Sequence, residues 1–289
     1  MHTNSHDDGP TTRRTGRVST TRTSTDAYRI RRPTLPVLLN DMRIPASDPG
    51  PGDQIPGFDL PTTDGGRVTS ASLLQDGRPV LLVFGSVTCP VTESAAPGLN
   101  LLHERYGSDV RFVVVNVREA HPGARFAQPE TMDDKLKHAV ALARHHGFRF
   151  ETAVDDLDGS LHRAFGTRPS SAYLIDPTGR ILFRAHWSNS TDALDQALSA
   201  VTAGQAPPRP AVGRTVGSMM RMTGYAEVSL HTAGSGAARD MWRVAPPFAS
   251  MIATSRLFSF LPRSRRGLPA ALLLTAVLAG VIAVAVAVN

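Results

Sequence analysis

The stretch 79–90, PVLLVFGSVTCP, contains an apolar run, a polar turn and the only cysteine of the chain, Cys89. The apolar run predicts a buried strand, and residues 93–106 predict a helix that begins just after the cysteine. Free backbone N–H groups and the positive end of a helix dipole stabilise a thiolate at such a position. The stretch therefore predicts a redox-active cysteine at a strand-to-helix turn.

Cys89 has no second cysteine in its own chain with which to form a disulfide. Turnover must therefore recruit an external thiol as cosubstrate, and we expect a thioredoxin or a low-molecular-weight thiol as the reductant. The single cysteine also argues against a cysteine-rich structural zinc site. We expect no bound cofactor and a small molecule as the substrate.

The segments around Cys89 predict a mixed α/β sheet with helices on both faces, within a domain that covers residues 49–203. Residues 110–117, VRFVVVNV, predict a second buried strand. Residues 172–185 predict a hairpin across the Asp-Pro-Thr-Gly turn at 176–179. Strands and helices that alternate in this order favour a single sheet between helical layers. The remaining predicted elements are a hairpin at 53–68, helices at 132–146, 158–165 and 191–201, and a strand at 148–154.

Glu119 and His121 follow the second strand directly, just as Cys89 follows the first. A right-handed crossover makes these two strands parallel, so their carboxyl ends meet at one edge of the sheet, where ligands bind. There His121 can hold the thiolate as an ion pair or deliver a proton to a leaving group. Glu119 can orient the histidine or share its proton.

The two ends of the chain differ in composition from this domain. Residues 1–48 are rich in Thr, Arg and Pro and predict a disordered tail, whereas residues 204–266 predict a linker with a basic juxtamembrane segment. Residues 267–289 are apolar and long enough to span a bilayer. Arginines at 263, 265 and 266 precede this span, which predicts a single C-terminal anchor with the catalytic domain in the cytoplasm.

The net charge of +6 resides largely in the tail and before the apolar C-terminus, so an anionic membrane surface is favoured over nucleic acid as its partner. His138, His145 and His146 fall on one predicted helix and are interpreted as a solvated face, since a metal site needs more convergent ligands. No metal site is predicted. The sequence does not decide whether the chain forms a homodimer.

The run 84–90, FGSVTCP, together with Glu119-Ala120-His121, resembles the iodothyronine deiodinases over about residues 75–200. The resemblance implies a thioredoxin fold and reductive removal of halogen from an aromatic ring. It implies that Cys89 replaces selenocysteine as the attacking group, that Glu119 and His121 handle protons, and that Thr88 is the hydroxyl residue beside the nucleophile.

The chain departs from the deiodinase pattern at two positions that, in that family, bind the iodothyronine substrate. The family carries a histidine in the loop before the third helix, where residues 128–131 read QPET. It also carries an arginine just before the strand at Tyr173, where this chain has Ser171, with Arg168 nearby but out of register. Ser171 and Arg168 are therefore the candidate substrate-binding residues on that side.

Residues 51–60 and 173–181 resemble peroxiredoxins and membrane-linked thioredoxin-like proteins. Ser86 occupies the position of the peroxiredoxin threonine, three residues before the cysteine, and is a further substrate-binding candidate. Thioredoxins place a proline directly before the strand at Tyr173. Pro169 lies slightly too early for this role, so Ser170 or Ser171 is expected to face Cys89.

These patterns favour a cysteine-dependent oxidoreductase of the deiodinase type, in which Cys89 removes halogen from an aromatic ring. The alternative enzyme is a one-cysteine thiol peroxidase or a thioredoxin-like thiol–disulfide oxidoreductase. A further alternative is a membrane-tethered thioredoxin fold without catalytic activity, in which Cys89 has the pKa of an ordinary thiol, about 8.5.

Overall fold

The computed structural model describes residues 28–43, 45, 47–209 and 215–288. Its centre is a five-stranded mixed sheet in the order β5-β4-β3-β6-β7. Strand β3 pairs in parallel with β4 and antiparallel with β6, β4 pairs in parallel with β5, and β6 pairs antiparallel with β7. The strands are β3 Val80–Gly85, β4 Arg111–Asn116, β5 Glu151–Val154, β6 Ala172–Ile175 and β7 Ile181–Ala185.

Helices cover both faces of this sheet because successive residues of β3 point to opposite sides and are all buried. Leu81 and Val83 pack in the cluster that contains residues of α3, α4 and α6, whereas Leu82 and Phe84 pack in the cluster on the other face. The predicted α/β architecture is confirmed. The remaining elements of the domain are β1 Asp59–Pro61, β2 Arg67–Thr69, α2 Ser70–Leu74, α3 Pro90–Tyr106, α4 Met132–His146, α5 Ser160–Ala164 and α6 Thr191–Thr202.

Part of the predicted disordered tail is ordered in the structure. Residues 1–27 lie outside the described residues, but Leu35–Asp41 form a helix, α1, that packs near the carboxyl ends of the strands. Tyr28 is buried, and its hydroxyl lies 2.8 Å from Nδ1 of His162. Composition predicts disorder here because few apolar residues are present, yet Leu35, Leu38 and Leu39 are enough to hold a short helix against a neighbouring surface.

The segment predicted as a linker also differs from expectation. Three helices fill most of it: α7 Thr215–Ala233, α8 Ala237–Val244 and α9 Pro246–Ser255. Six of the seven buried residues of helix α7 are small, and Leu230 is the seventh, so its sequence shows no clear apolar period. Gly224 illustrates the close packing, because a Cβ at this position would lie 2.0 Å from the backbone oxygen of Arg263.

The apolar C-terminus forms one long helix, α10 Gly267–Val288. Within Arg263–Ala287, an 18-residue window has a mean hydropathy of 2.7 and only 6% of it is buried, so by length and composition this helix is able to cross a membrane. Gly267 lies against α7, where a Cβ would come within 2.0 Å of the backbone oxygen of Met220. The start of α10 therefore packs directly on the helical layer that follows the sheet.

Candidate active site

Cys89 lies at the N-cap of α3, directly beyond the carboxyl end of β3. Its backbone is extended, with φ −92° and ψ 119°, and Pro90 occupies the first turn of the helix, where its missing N–H costs nothing. The backbone oxygen of Cys89 accepts a hydrogen bond from Glu93 N at 2.9 Å. The strand-to-helix turn predicted from sequence is present.

A pocket of about 210 Å³ opens over Cys89, and its walls are almost entirely apolar. One wall comes from α1, with Leu35 and Leu38, and another comes from α7, with Met219 and Met222. Only 2% of the Cys89 surface is exposed. The polar groups that share the pocket with the thiol belong to Asp41, His121 and Trp187.

Burial raises the pKa of the Cys89 thiol, which differs from the prediction of a stabilised thiolate. The backbone N–H groups of Thr92 and Val91 lower the pKa, as the helix position predicts, but loss of hydration outweighs them. The negative charge of Asp41 raises the pKa further. The covered pocket therefore contains a thiol at neutral pH, and the ionised form requires hydration or a proton acceptor.

Glu119 is the centre of a buried hydrogen-bond network behind Cys89. Its Oε2 accepts from Thr88 N at 3.1 Å and from Thr88 Oγ1 at 2.7 Å. Its Oε1 lies 3.0 Å from Nδ1 of His138. The carboxylate side chain is only 1% exposed, and such a buried charge persists only when hydrogen-bonded in this way. The structure thus connects the turn beside the nucleophile to α4.

His138 is the site residue that the sequence pattern does not reveal. The pattern predicts a solvated helix face for it, whereas its side chain is only 14% exposed and points at Glu119. Its ring also packs edge-on against Phe126, with centroids 5.0 Å apart. The sequence does place a polar residue, His138, on one face of α4. Periodicity alone does not show that the loop after β4 covers that face, so the contact with Glu119 could not be predicted.

His121 lies in the pocket with Cys89, as predicted, but its chemistry differs from the expectation of an ion pair. Burial and the nearby Arg118 charge lower the pKa of His121 to about 4, so the imidazole is neutral at physiological pH. Its Nδ1 is buried and has no hydrogen-bond partner among the described residues. Its backbone N donates to Thr88 Oγ1 at 3.2 Å. Glu119 contacts Thr88 and His138 rather than the His121 ring.

The three candidate substrate-binding residues lie in different surroundings. Ser86 Oγ accepts from Ala120 N at 3.3 Å and so joins the two carboxyl-terminal loops. Ser171 is buried beside β6, and its backbone oxygen accepts from Phe84 N at 2.9 Å. Arg168 is buried and donates to Asp48 Oδ2 at 3.1 Å and to the backbone oxygen of Asn40. Its guanidinium therefore fixes the N-terminal segment instead of facing the pocket.

Pro169, rather than a serine, lines the pocket with Cys89. Ser170 Oγ forms hydrogen bonds with Thr92 Oγ1 at 3.1 Å and with Ser188 Oγ at 2.7 Å. Trp187 also lines the pocket, and its buried Nε1 has no partner among the described residues. Neither Ser170 nor Ser171, the two serines of which one was expected to face the thiol, lines this pocket.

Helix α1, which we call the strap, is held over the pocket by two buried arginines. Arg118 lies 3.4 Å from Asp41 Oδ1, and Arg168 binds the backbone at Asn40. His186 Nε2 lies 3.0 Å from the backbone oxygen of Asp41. Burial nevertheless raises the pKa of Asp41 to about 6, because the arginines offset only part of the lost hydration.

Part of the chain is similar to known proteins. Residues 51–184 match the model of the AhpC/TSA family. Similar solved structures include peroxidoxin BcpB from Mycobacterium tuberculosis, at 18% identity and TM-score 0.41, covering 54% of this chain and 97% of that chain. MTB DsbF is 24% identical with TM-score 0.40, covering 51% and 98%. A secreted M. tuberculosis disulfide oxidoreductase homologous to E. coli DsbE is 19% identical with TM-score 0.40, covering 50% and 95%.

Proposed function

We propose, from the assignment of residues 51–184 to the AhpC/TSA family, that this protein is a one-cysteine thiol peroxidase. The observation that carries the proposal is the position of Cys89, the only cysteine, at a helix N-terminus in an apolar pocket. The family match supports a peroxidase or a thiol–disulfide oxidoreductase better than the dehalogenation that the sequence motifs favour. A lone cysteine in turn favours the peroxidase, because it needs no partner cysteine for its first step.

In the first half-reaction the Cys89 sulfur attacks one oxygen of a hydroperoxide, the O–O bond breaks, and the products are a sulfenic acid and an alcohol. The thiol proton moves to the departing alkoxide oxygen. His121 Nδ1 is the group in the pocket that is free to relay this proton, since it is neutral and without a partner among the described residues. Two external thiols then reduce the sulfenic acid, and a disulfide and water are released.

The Glu119 network positions the loop that carries the nucleophile. Thr88 uses both its backbone N–H and its hydroxyl to bind Glu119, and His121 N binds the same hydroxyl. These bonds fix Thr88 immediately before Cys89 and fix His121 across the pocket. Thr88 and Glu119 are therefore positioning residues, whereas Cys89 and His121 contact the reacting atoms.

The test uses the full chain in detergent micelles with cumene hydroperoxide in two separate assays. Peroxide consumption is measured with excess dithiothreitol, and sulfenic-acid formation is measured with the trap dimedone in the absence of any thiol. We expect peroxide consumption and one dimedone adduct per chain on Cys89, and we expect both to disappear in Cys89→Ser. His231→Gln, on the exposed face of α7, is the matched control and should behave as the parent. A folded protein that neither consumes peroxide nor forms the adduct would overturn the proposal.

A second candidate is reductive dehalogenation of an aromatic substrate, which the Glu119–His138 contact favours. The deiodinase resemblance implies a histidine in the loop before the third helix, and residues 128–131 contain none. His138, from within α4, nevertheless brings an imidazole to Glu119 at 3.0 Å. Iodide release from an iodinated phenol, lost in Cys89→Ser and in the absence of any peroxide consumption, would select this reaction.

We also propose that α10 anchors the protein in a membrane with the Cys89 domain on the cytoplasmic side. The support is the length and apolar composition of the helix and the arginines at 263, 265 and 266 that precede it. The protein should remain in the membrane pellet after alkaline carbonate extraction. A C-terminal tag should be protected from protease added to the cytoplasmic side, and a tag that is digested there would overturn the orientation.

A further inference from the structure

A second cluster of ligating side chains lies where the first turn of α3 meets the end of α4. Glu93 Oε2 lies 2.7 Å from His145 Nε2 and 4.0 Å from His146 Nδ1. One ligand atom from each of the three residues falls within 4.8 Å of the others. The two histidines share one helix, as the sequence indicates, and the third ligand comes from a different helix.

His146 is the buried member of this cluster, and its ring is not fully hydrogen-bonded among the described residues. Its side chain is 2% exposed, and its Nε2 has no hydrogen-bond partner among the described residues. Its Nδ1 faces Glu93 at 4.0 Å, which is too long for a hydrogen bond. The Nδ1 atom and the Glu93 carboxylate therefore face each other across a gap that a bridging ion would fill.

The surroundings hold the three side chains in place. Asn100 Nδ2, on α3, donates to the backbone oxygen of His146 at 2.9 Å and so ties the two helices together. Gly147 ends α4 in the left-handed conformation, and Phe148 packs on the His146 ring at 5.3 Å.

We propose that Glu93, His145 and His146 form a binding site for a divalent transition metal, with zinc as the ion to test. Zn–N and Zn–O bonds of about 2.0–2.1 Å place tetrahedral ligands about 3.3 Å apart, and the observed 2.7 and 4.0 Å lie on either side of that separation. Two imidazoles and one carboxylate suit zinc. The metal replaces any proton shared between Glu93 and His145, and a water completes the fourth position on the exposed His145 side.

This site is independent of the proposed reaction, because it uses none of the residues assigned to it. Its location nevertheless links it to the active-site helix, since Glu93 N donates to the backbone oxygen of Cys89. A bound metal would fasten the first turn of α3 to the end of α4. The expected role of the metal is therefore to stabilise the helix that carries the nucleophile.

The test measures zinc affinity of the full chain in detergent micelles by competition with a chromophoric chelator, after removal of metals with EDTA. The parent for all variants is His2→Ala/His6→Ala, which removes the histidines of the N-terminal tail as competing ligands. We expect one zinc per chain, and we expect Glu93→Gln and His145→Ala each to weaken binding at least tenfold. His145 is 30% exposed, so its substitution should leave the fold intact.

His231→Ala is the matched control, and its affinity should equal that of the parent. The far-ultraviolet circular dichroism of every variant is compared with that of the parent, so that loss of fold is not scored as loss of binding. Zinc affinity unchanged in both Glu93→Gln and His145→Ala would overturn the site. Zinc binding that instead disappears in Cys89→Ser would place the metal on the thiol and would equally overturn it.

Discussion

Asp41→Asn tests whether the strap covers Cys89 more tightly at low pH. Asp41 is 14% exposed, and burial raises its pKa from 3.8 to about 6 in the closed strap, whereas an open strap returns the carboxyl to water. The closed state therefore binds the proton more tightly. Closure is most favourable below the pKa of the open form and loses this advantage as the pH rises through about 6.

The magnitude follows from the difference between the two pKa values. A difference of about 2 units corresponds to about 3 kcal/mol, or about 100-fold in the opening equilibrium over the full titration. Between about pH 4.5 and pH 7.5 the titration of Asp41 alone predicts about a 25-fold rise in opening. Burial lowers the pKa of His186 to about 4, so protonation of His186 favours opening as the pH falls and acts against Asp41. The contribution of Asp41 is therefore read from the ratio of opening in the parent to opening in Asp41→Asn.

Hydrogen–deuterium exchange with mass spectrometry measures this opening directly. The exchange rate of peptides that cover the strap is divided by the intrinsic rate at each pH. The ratio of this quantity in the parent to that in Asp41→Asn should rise by about 25-fold between about pH 4.5 and pH 7.5. Peptides from α4 serve as the internal control. A variant with the same pH dependence as the parent would refute the reasoning.

Three further substitutions test the core, the site network and a helix cap. Phe84→Ala removes a fully buried ring that packs on two neighbouring aromatic rings, so denaturant unfolding should show a loss of about 3–5 kcal/mol. Thr88→Val removes the hydroxyl donor to Glu119, so we expect a loss of about 1–3 kcal/mol and slower peroxide reduction, with both restored in Thr88→Ser. Thr131→Ala removes the N-cap bond to Asp134 N and should cost about 1 kcal/mol, whereas Thr131→Ser should cost little.

The parts of the fold that rest on local periodicity could be predicted from sequence. The apolar runs of β3 and β4 are buried on both faces of the sheet, and the residues of β7 in the hairpin alternate between buried and half-buried positions. Each of these patterns is visible within a short stretch of sequence. The parallel pairing of β3 and β4 then places Cys89 and the loop of Glu119 and His121 at one edge. This inference needs only the handedness of the crossover, which explains why it held.

The burial of the site could not be predicted in the same way. The groups that cover Cys89 come from α1 and α7, which lie far from it in sequence. Met219 and Met222 are flexible side chains that fill an irregular wall without any regular spacing. A thiol at a helix N-terminus predicts a lowered pKa, but the dominant effect here is dehydration by these distant elements, so the direction of the shift reverses.

Under the proposed function, the single cysteine and the strap that covers it together determine when a reductant can reach the oxidised sulfur. A sulfenic acid on Cys89 has no resolving cysteine in the chain, so it persists until an external thiol reaches the sulfur. A pocket of about 210 Å³ can admit a small hydroperoxide, but a protein thiol cannot approach a sulfur that is 2% exposed. Reduction by a thioredoxin therefore requires the strap to open, whereas reduction by a small thiol does not. It follows that turnover with a protein reductant should track the strap-opening equilibrium, and turnover with a small thiol should be independent of it.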